Sequence, residues 1–410
     1  MTQLSPDQQA AFDKMVAFVL DPSKTFFVLE GFAGSGKSTL MNHFMDYLPK
    51  LEAAFRATNS GFQVPGVDLS ATTHKAAENL SVITGHDVRT IHSVLGLRLA
   101  TNYKTNKSYL EPRPNFPIPR NMLIIVDEAS YIDLNLLYFI KTRTENCKVI
   151  FMGDPYQLVP VGYSTAPVFQ QGFETVKLTG NHRNQSVIQE FSAKLRNTID
   201  TGDWFQFKPD GHHIVHMDRT AFNDAVVAEF TRPDWKHNDS RVLSYTNGRS
   251  IEYNNYIQSH VKGNHEFQAG DYARSNKYTQ ASGSNGYIRN DETVFIVAAE
   301  DTSVCGVAGK NFLIKHNWYF APNSLKDVKA LEKESVYAQD SVVLRIMSSW
   351  LDLRAHFSET VNKSQGSTYG KVFIDLDDVA SASNGTLIAR LLYVAASRAK
   401  HQVILTGDLV

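Results

Sequence analysis

One short segment constrains this chain more than any other. Gly31-Phe32-Ala33-Gly34-Ser35-Gly36-Lys37-Ser38-Thr39 fits the pattern G-x-x-x-x-G-K-[ST], directly after the apolar run Thr25-Phe26-Phe27-Val28-Leu29 and before a helical segment at 40–48. Such a segment requires a buried strand, a tight turn and the start of a helix in that order, so an α/β sheet must be present. The glycines let backbone N–H groups curl around phosphate oxygens, and the helix N-terminus adds its dipole. Lys37 is expected to reach the β- and γ-phosphates, and the Ser38 hydroxyl to ligate Mg²⁺. Ala33, Gly34, Ser35, Gly36, Lys37, Ser38 and Thr39 are thus the candidate nucleotide-binding residues, with ATP and Mg²⁺ as cofactors. The competing reading is a glycine-rich turn without a ligand.

The rest of the chain repeats the same rhythm. Ser5-Pro6-Asp7-Gln8 reads as a capped helix start, and apolar Phe12, Met15, Val16 and Val19 follow at helical spacing. Short apolar runs at 122–126, 149–152, 242–245, 372–376 and 403–405 alternate with helical segments, which implies βα units and parallel sheets. Two stretches depart from it. Residues 97–120 carry Tyr103 and Tyr109 and then Pro112, Pro114, Pro117 and Pro119, which reads as a hairpin and a stiff return. Residues 263–345 are rich in Gly, Asn and Ser with short alternating runs, and read as an inserted small β domain.

Composition narrows the classes. A chain of 410 residues with 42% hydrophobic content can bury several cores, and 41 Lys+Arg against 42 Asp+Glu exclude binding to nucleic acid or membrane by bulk positive charge. Cys147 and Cys305 are too few for a disulfide framework or a zinc site. The N-terminus lacks the pattern of a signal peptide and no run of about 18 apolar residues occurs. A cytoplasmic protein is expected.

Asp127-Glu128 ends the run Leu123-Ile124-Ile125-Val126, where a carboxylate pair faces the crevice at the strand ends. The first suits Mg²⁺ and the second suits orienting or deprotonating an attacking water. Gly153-Asp154-Pro155-Tyr156-Gln157 ends the next strand and brings Gln157 to the same crevice, although a plain β-turn fits those residues too. Arg183 and Arg398 are candidates to stabilise charge on a transferred phosphoryl group, against the alternative that each is merely solvated.

Taken in order, the segment 31–39, Thr72-Thr73-His74-Lys75, Asp127-Glu128-Ala129-Ser130, Gly153-Asp154-Pro155-Tyr156-Gln157-Leu158, Arg183, Lys363-Ser364-Gln365-Gly366-Ser367-Thr368 and Tyr393-Val394-Ala395-Ala396-Ser397-Arg398-Ala399 resemble the motifs of superfamily-one helicases, in particular the RecD-like branch. The resemblance spans nearly the whole chain. It implies two RecA-like domains, 1–182 with a pin-like insertion near 97–120, and 183–262 plus 346–410, with an SH3-like insertion at 263–345. ATP would bind between them, with Lys37, Asp127, Glu128, Gln157, Arg183 and Arg398 as the catalytic set, Ser38 and Asp127 as metal ligands, and Gly366 and the adenine-reading Gln8 at the nucleotide. Gln8 also fits the capping box.

For nucleic acid, the resemblance implies single-stranded DNA contacts at Thr73, His74, Lys75, His92, Ser93, Asn247, Lys363 and Ser364. It also implies a strand-separating pin at Tyr103 or Tyr109 and 5′→3′ travel on forked duplex DNA. A monomer acting off the membrane is expected, and replication or recombination proteins are the partners it allows. Three positions depart from the family pattern: Asn362 replaces a histidine, Val159 a proline, and Ser397 a threonine. The activities left open are a helicase, a DNA-stimulated translocase that displaces proteins, and a nucleotide-gated DNA-binding switch. A metabolite kinase would leave the Lys363 and Arg398 motifs unexplained.

Overall fold

The computed structural model describes residues 3–58, 64–102, 107–180, 187–263, 266–281 and 286–409. Contacts divide the chain into two units: Met1–Val215 with Val361–Thr368 and Ser381–Val403, and His216–Thr360 with Tyr369–Ala380 and Ile404–Val410. The domain expectation placed residues from 183 onward, including 361–368 and 381–403, in the second RecA-like domain. By packing, residues 183–215 and those two segments group with the first unit.

The first unit is built on β1 (Phe26–Gly31), β2 (Gly66–Ala71), β3 (Val88–Thr90), β4 (Leu97–Asn102), β5 (Lys107–Pro112), β6 (Met122–Asp127), β7 (Lys148–Gly153) and β8 (Glu174–Leu178). Six of these form a parallel sheet of order β3-β2-β6-β7-β1-β8, and β4 pairs antiparallel with β5 beside it. The inner strands are apolar along their length because both faces are covered. Phe27, Leu29, Ile125, Ile150 and Met152 pack on one side with the helices Pro6–Leu20 and Lys37–Ala57, while Val28, Ile124, Val126, Val149 and Phe151 pack on the other with Leu136 and Ile140. The strand period of two divides each run between two cores.

Local signals explain the helix ends. Gln8 N–H donates to Ser5 Oγ at 3.4 Å and Ser5 N–H to Gln8 Oε1 at 3.0 Å, so the capping box at Pro6–Leu20 is complete. The helix after the glycine-rich loop is longer than the expected 40–48, running Lys37–Ala57 straight through Pro49. Leu48 and Leu51 on either side of the proline are buried in the same core, which outweighs the one backbone bond that proline removes.

A second sheet continues the α/β pattern. Strands β9 (Ile214–Met217), β10 (Ser240–Ser244), β19 (Ser358–Thr360), β20 (Tyr369–Asp375) and β21 (Ala399–Thr406) form a sheet of order β19-β10-β20-β21-β9. Between β10 and β19 lie β11 (Tyr272–Ser275), β12 (Thr279–Gln280), β13 (Tyr287–Ile288), β14 (Thr293–Phe295), β15 (Ala298–Val304), β16 (Val307–Ile314), β17 (Asn317–Pro322) and β18 (Leu353–Arg354). These make small antiparallel sheets, β14-β11-β18, β12-β13 and β15-β16-β17. Two features of this segment differ from expectation. Its pairing runs past 345, since β18 closes on β11, and it contains the helices Leu325–Tyr337 and Ser341–Ser348. Val328, Leu331, Val343 and Ile346 at helical spacing pack with Phe320 and Trp350, and that shared core draws the helices onto the strands.

Candidate active site

Every strand of the first sheet is parallel, so its carboxyl ends lie along one edge. Gly31, Ala71, Asp127 and Gly153 end β1, β2, β6 and β7 there. The loop after β1 turns through Gly34 and Gly36, at φ 89° and 81°, and Gly36 is the residue from which the helix starts. A Cβ on Gly31 would collide with Ser35 Oγ, so the first glycine is required by closeness. Lys37 Nζ lies back over the loop and donates to the carbonyls of Gly31 and Phe32. Ser35 is fully buried and its hydroxyl has no hydrogen-bond partner among the described residues, a donor suited to a phosphate oxygen.

Asp127 and Glu128 face this loop. Glu128 sits in the left-handed region at φ 53°, uncommon for a side-chain-bearing residue, and its N–H donates to Asp127 Oδ1 at 2.8 Å. Both residues are half-buried. Desolvation and the neighbouring Asp127 push Glu128 up to about 7, against the pull of Arg398 and Lys37. Desolvation also raises Asp127, offset by the Glu128 N–H and Lys37. A carboxyl held near neutrality beside two cations has the properties of a general base. For a metal, the candidate donors are the Ser38 hydroxyl and Asp127. Among the described residues no cluster of three or more His, Cys, Asp or Glu could cage an ion. That sparse donor set fits Mg²⁺, which keeps waters and substrate phosphates in its shell.

Arg398 closes the helix Gly385–Ser397 and is buried. Its guanidinium donates to Val394 O at 3.2 Å, Ser367 O at 3.3 Å and Ser397 Oγ at 3.0 Å, while its charge acts on Glu128. The departure from threonine to Ser397 keeps the hydroxyl that takes one of these bonds. The same helix carries two residues that motif reasoning quoted or passed over without a role. Tyr393 is fully buried and donates to Asp154 Oδ2 at 2.6 Å, and the Ala33 N–H of the glycine-rich loop donates to the same oxygen at 3.1 Å. Arg390, one turn earlier, donates to Pro155 O at 2.7 Å and Gln157 O at 2.6 Å. The signal that could have found both is their i, i+3 spacing on one face of a helix next to a motif arginine. Arg196, also unforeseen, lies 4.2 Å from the Phe32 ring.

Gln157 is buried and accepts from Gln365 Nε2 at 2.9 Å, which joins the loop after β7 to segment 361–368. That segment also reaches the helix His74–Thr84. Lys75 Nζ donates to Lys363 O at 3.0 Å, and Asn79 Nδ2 donates to Gly366 O. Gly366 lies at φ 77°, and a Cβ placed on it would sit 3.7 Å from Ala76 Cα, so the turn lies close against this helix. Tyr131 OH donates to Asn362 O at 2.9 Å, and burial pushes that phenol well above its ordinary range. The position where the family has histidine is thus held through its backbone.

The remaining candidates are scattered. Gln8 is buried, its amide shared between the capping box and a 3.3 Å bond from Nε2 to Gly36 O, which places it against the phosphate loop. Thr73 caps the helix His74–Thr84 through Ala76 N–H at 3.2 Å, and His74 is exposed at its start. His92 is half-buried, its pKa lowered chiefly by desolvation, with Asp133 opposing and His74 adding. Ser93 is tied to Thr90, donating its N–H to Thr90 Oγ1 at 3.3 Å. Ser364 is fully buried and its hydroxyl donates to Val361 O at 2.8 Å, so that side chain supports a turn. Lys363 is exposed; Asn247, in the second unit, is exposed at the start of the helix Asn247–Lys262. Arg183 and Tyr103 lie outside the described residues, and Tyr109 on β5 is 47% exposed.

Comparison with known proteins points to the same class. The family described as the AAA domain matches residues 3–217, and the UvrD-like helicase C-terminal domain matches 357–406. The ATP-dependent DNA helicase dda of Enterobacteria phage T4 is 25% identical, covering 98% of both chains. The ATP-dependent RecD2 DNA helicase of Deinococcus radiodurans is 31% identical over 44% of this chain and 22% of its own. In fold, the Pif1 helicase from Bacteroides, solved with ADP-AlF3 and ssDNA, aligns with a TM-score of 0.53 at 15% identity over 100% of this chain and 94% of that one. The chain belongs to the AAA-domain family and is similar to the superfamily-one DNA helicases Dda and RecD2.

Proposed function

We infer that this protein is an ATP-dependent DNA helicase. One observation carries the reading furthest. Segment 361–368 touches the Gln157 loop through Gln365 and the helix His74–Thr84 through Lys363 and Gly366, and it accepts a bond from Arg398 at Ser367 O. A single short stretch thereby bonds to the phosphate-facing loops and to the helix that carries the strand-contact candidates. Such a shared segment suits a motor, in which the state of the nucleotide must alter the grip on a strand.

In hydrolysis, Lys37 exchanges the carbonyls of Gly31 and Phe32 for the β- and γ-phosphates. Backbone N–H groups of the loop and the Ser35 hydroxyl cradle the remaining oxygens. Ser38 and Asp127 would hold Mg²⁺, which would supply positive charge to offset that of the phosphates. Glu128 takes a proton from the attacking water as its oxygen bonds to the γ-phosphorus and the bond to ADP breaks, releasing phosphate. Arg398, with Arg183 as the second candidate, offsets charge on the transferred group, and Gln157 orients the water. Gln8 reads adenine in the same proposal.

On the nucleic-acid side, Thr73, His74, Lys75 and Lys363 contact the backbone of a single strand, and Asn247 is a separate contact candidate in the second unit. Tyr109, with Tyr103, serves as the pin, β11–β18 form the SH3-like insertion, and travel is 5′→3′. The test is unwinding of forked duplexes bearing only a 5′ or only a 3′ tail, with Lys37→Ala as control. Unwinding of the 5′-tailed fork alone, lost in Lys37→Ala while single-strand binding persists, is expected. DNA-stimulated ATP turnover with neither fork unwound would make the protein a translocase.

A further inference from the structure

A second aromatic feature lies far along the chain from the motifs. Tyr278 and Tyr287 stack with centroids 5.9 Å apart and planes 25° from parallel, yet they remain 58% and 41% exposed. The β12·β13 ribbon sets them side by side: Thr279 pairs with Ile288 and Gln280 with Tyr287. Ala281 N–H donates to Gly286 O at 2.8 Å and extends the pairing by one step toward the connection. Thr279 and Ile288 are buried, so the alternation of the strand turns Tyr287 to the outer face. Arg289 follows directly, its guanidinium 5.6 Å from the Tyr287 ring and donating to the Tyr287 hydroxyl at 3.2 Å.

The charge around the rings favours an anion-bearing ligand. Glu292 is engaged by Lys315 and by the Arg289 N–H at 2.8 Å, and Asp352 by Arg354 at 3.0 Å and Asn276 at 2.9 Å. Asp291 is the further acid of this stretch, against Lys277 and Arg289. Beyond their mutual stacking, the two tyrosines still leave about half of their surface on solvent, where a folded core gains nothing from it. Flat rings flanked by a guanidinium match a nucleobase and the phosphate next to it, a recognition that tolerates any sequence.

We propose that Tyr278, Tyr287 and Arg289 form a stacking site for an unpaired base of single-stranded DNA, separate from the contacts on the helix His74–Thr84. This rests on the helicase reading. The base belongs either to the tracked strand or to the displaced one, and the chemistry is the same.

The experiment is photo-crosslinking of the full chain to forks carrying 5-iodo-deoxyuridine in one tail at a time, with peptide mapping. Cross-links to Tyr278 or Tyr287 are expected, and the tail that yields them identifies the strand. The Tyr278→Leu/Tyr287→Leu variant is expected to lose fork affinity on the order of tenfold. Tyr278→Phe/Tyr287→Phe, which keeps both rings, should retain it, and both variants should keep the wild-type melting temperature. Cross-links mapping elsewhere from both tails, with affinity unchanged in the leucine variant, overturn the site. A wild-type chain whose ATPase ignores single-stranded DNA would instead overturn the helicase reading. If the leucine variant melts early, the phenylalanine variant and the cross-link map decide.

Discussion

Arg398 is where residue chemistry is most exposed to test. Its guanidinium is fixed by Val394, Ser367 and Ser397, and its charge reaches Glu128. Arg398→Ala is expected to slow ATP hydrolysis by roughly a thousandfold or more, with KM for ATP changed far less, as steady-state kinetics will show. A loss of a few-fold would leave Arg398 a scaffold for the 364–367 turn. His92 yields a different kind of prediction. Burial lowers its pKa below the ordinary 6.5, so the folded state resists a proton that the unfolded chain accepts. The stability it contributes is complete above 6.5 and declines as pH falls below that value. The urea midpoint of the wild type should therefore drop between pH 7.5 and 5.5, and His92→Asn should flatten that part of the dependence.

At the scale of elements, the helix Gly385–Ser397 matters most. Arg390 and Tyr393 fasten one face of it to residues 154–157, and Asp154 in turn holds the Ala33 N–H. Tyr393→Phe removes the hydroxyl while keeping the packing, and leaves a buried carboxylate one donor short. A stability loss of about 1–2 kcal/mol is expected in chemical denaturation. The freed loop should also raise KM for ATP several-fold with a smaller change in kcat. This helix was visible in the sequence only as a motif ending in arginine. The partners of Tyr393 and Arg390 were not legible, because Asp154 is 239 positions away and only the fold brings them into reach. The helices Leu325–Tyr337 and Ser341–Ser348 were hidden for a related reason, since their apolar faces make sense only against Phe320 and Trp350.

For the whole molecule, charge balance sets the expectation. With 41 basic and 42 acidic residues, binding to a strand rests on few cations, of which Lys75, Lys363 and Arg289 are the proposed ones. At about −0.7 per neutralised phosphate, the slope of log affinity against log salt should lie near −2. Fluorescence anisotropy across a salt series measures it, and a slope beyond about −5 would require basic contacts not assigned here. By itself the sequence determined the phosphate loop, the acidic pair, the strands that carry them and the family, because each of these follows from residues close together along the chain. Only the tertiary structure decided that Gly366 packs on Ala76, that Ser364 supports a turn, that Asp154 joins Tyr393 to Ala33, and that Tyr278 stacks on Tyr287. Those outcomes depend on which surfaces meet after long stretches of chain have folded back, and no local pattern of residues carries that information.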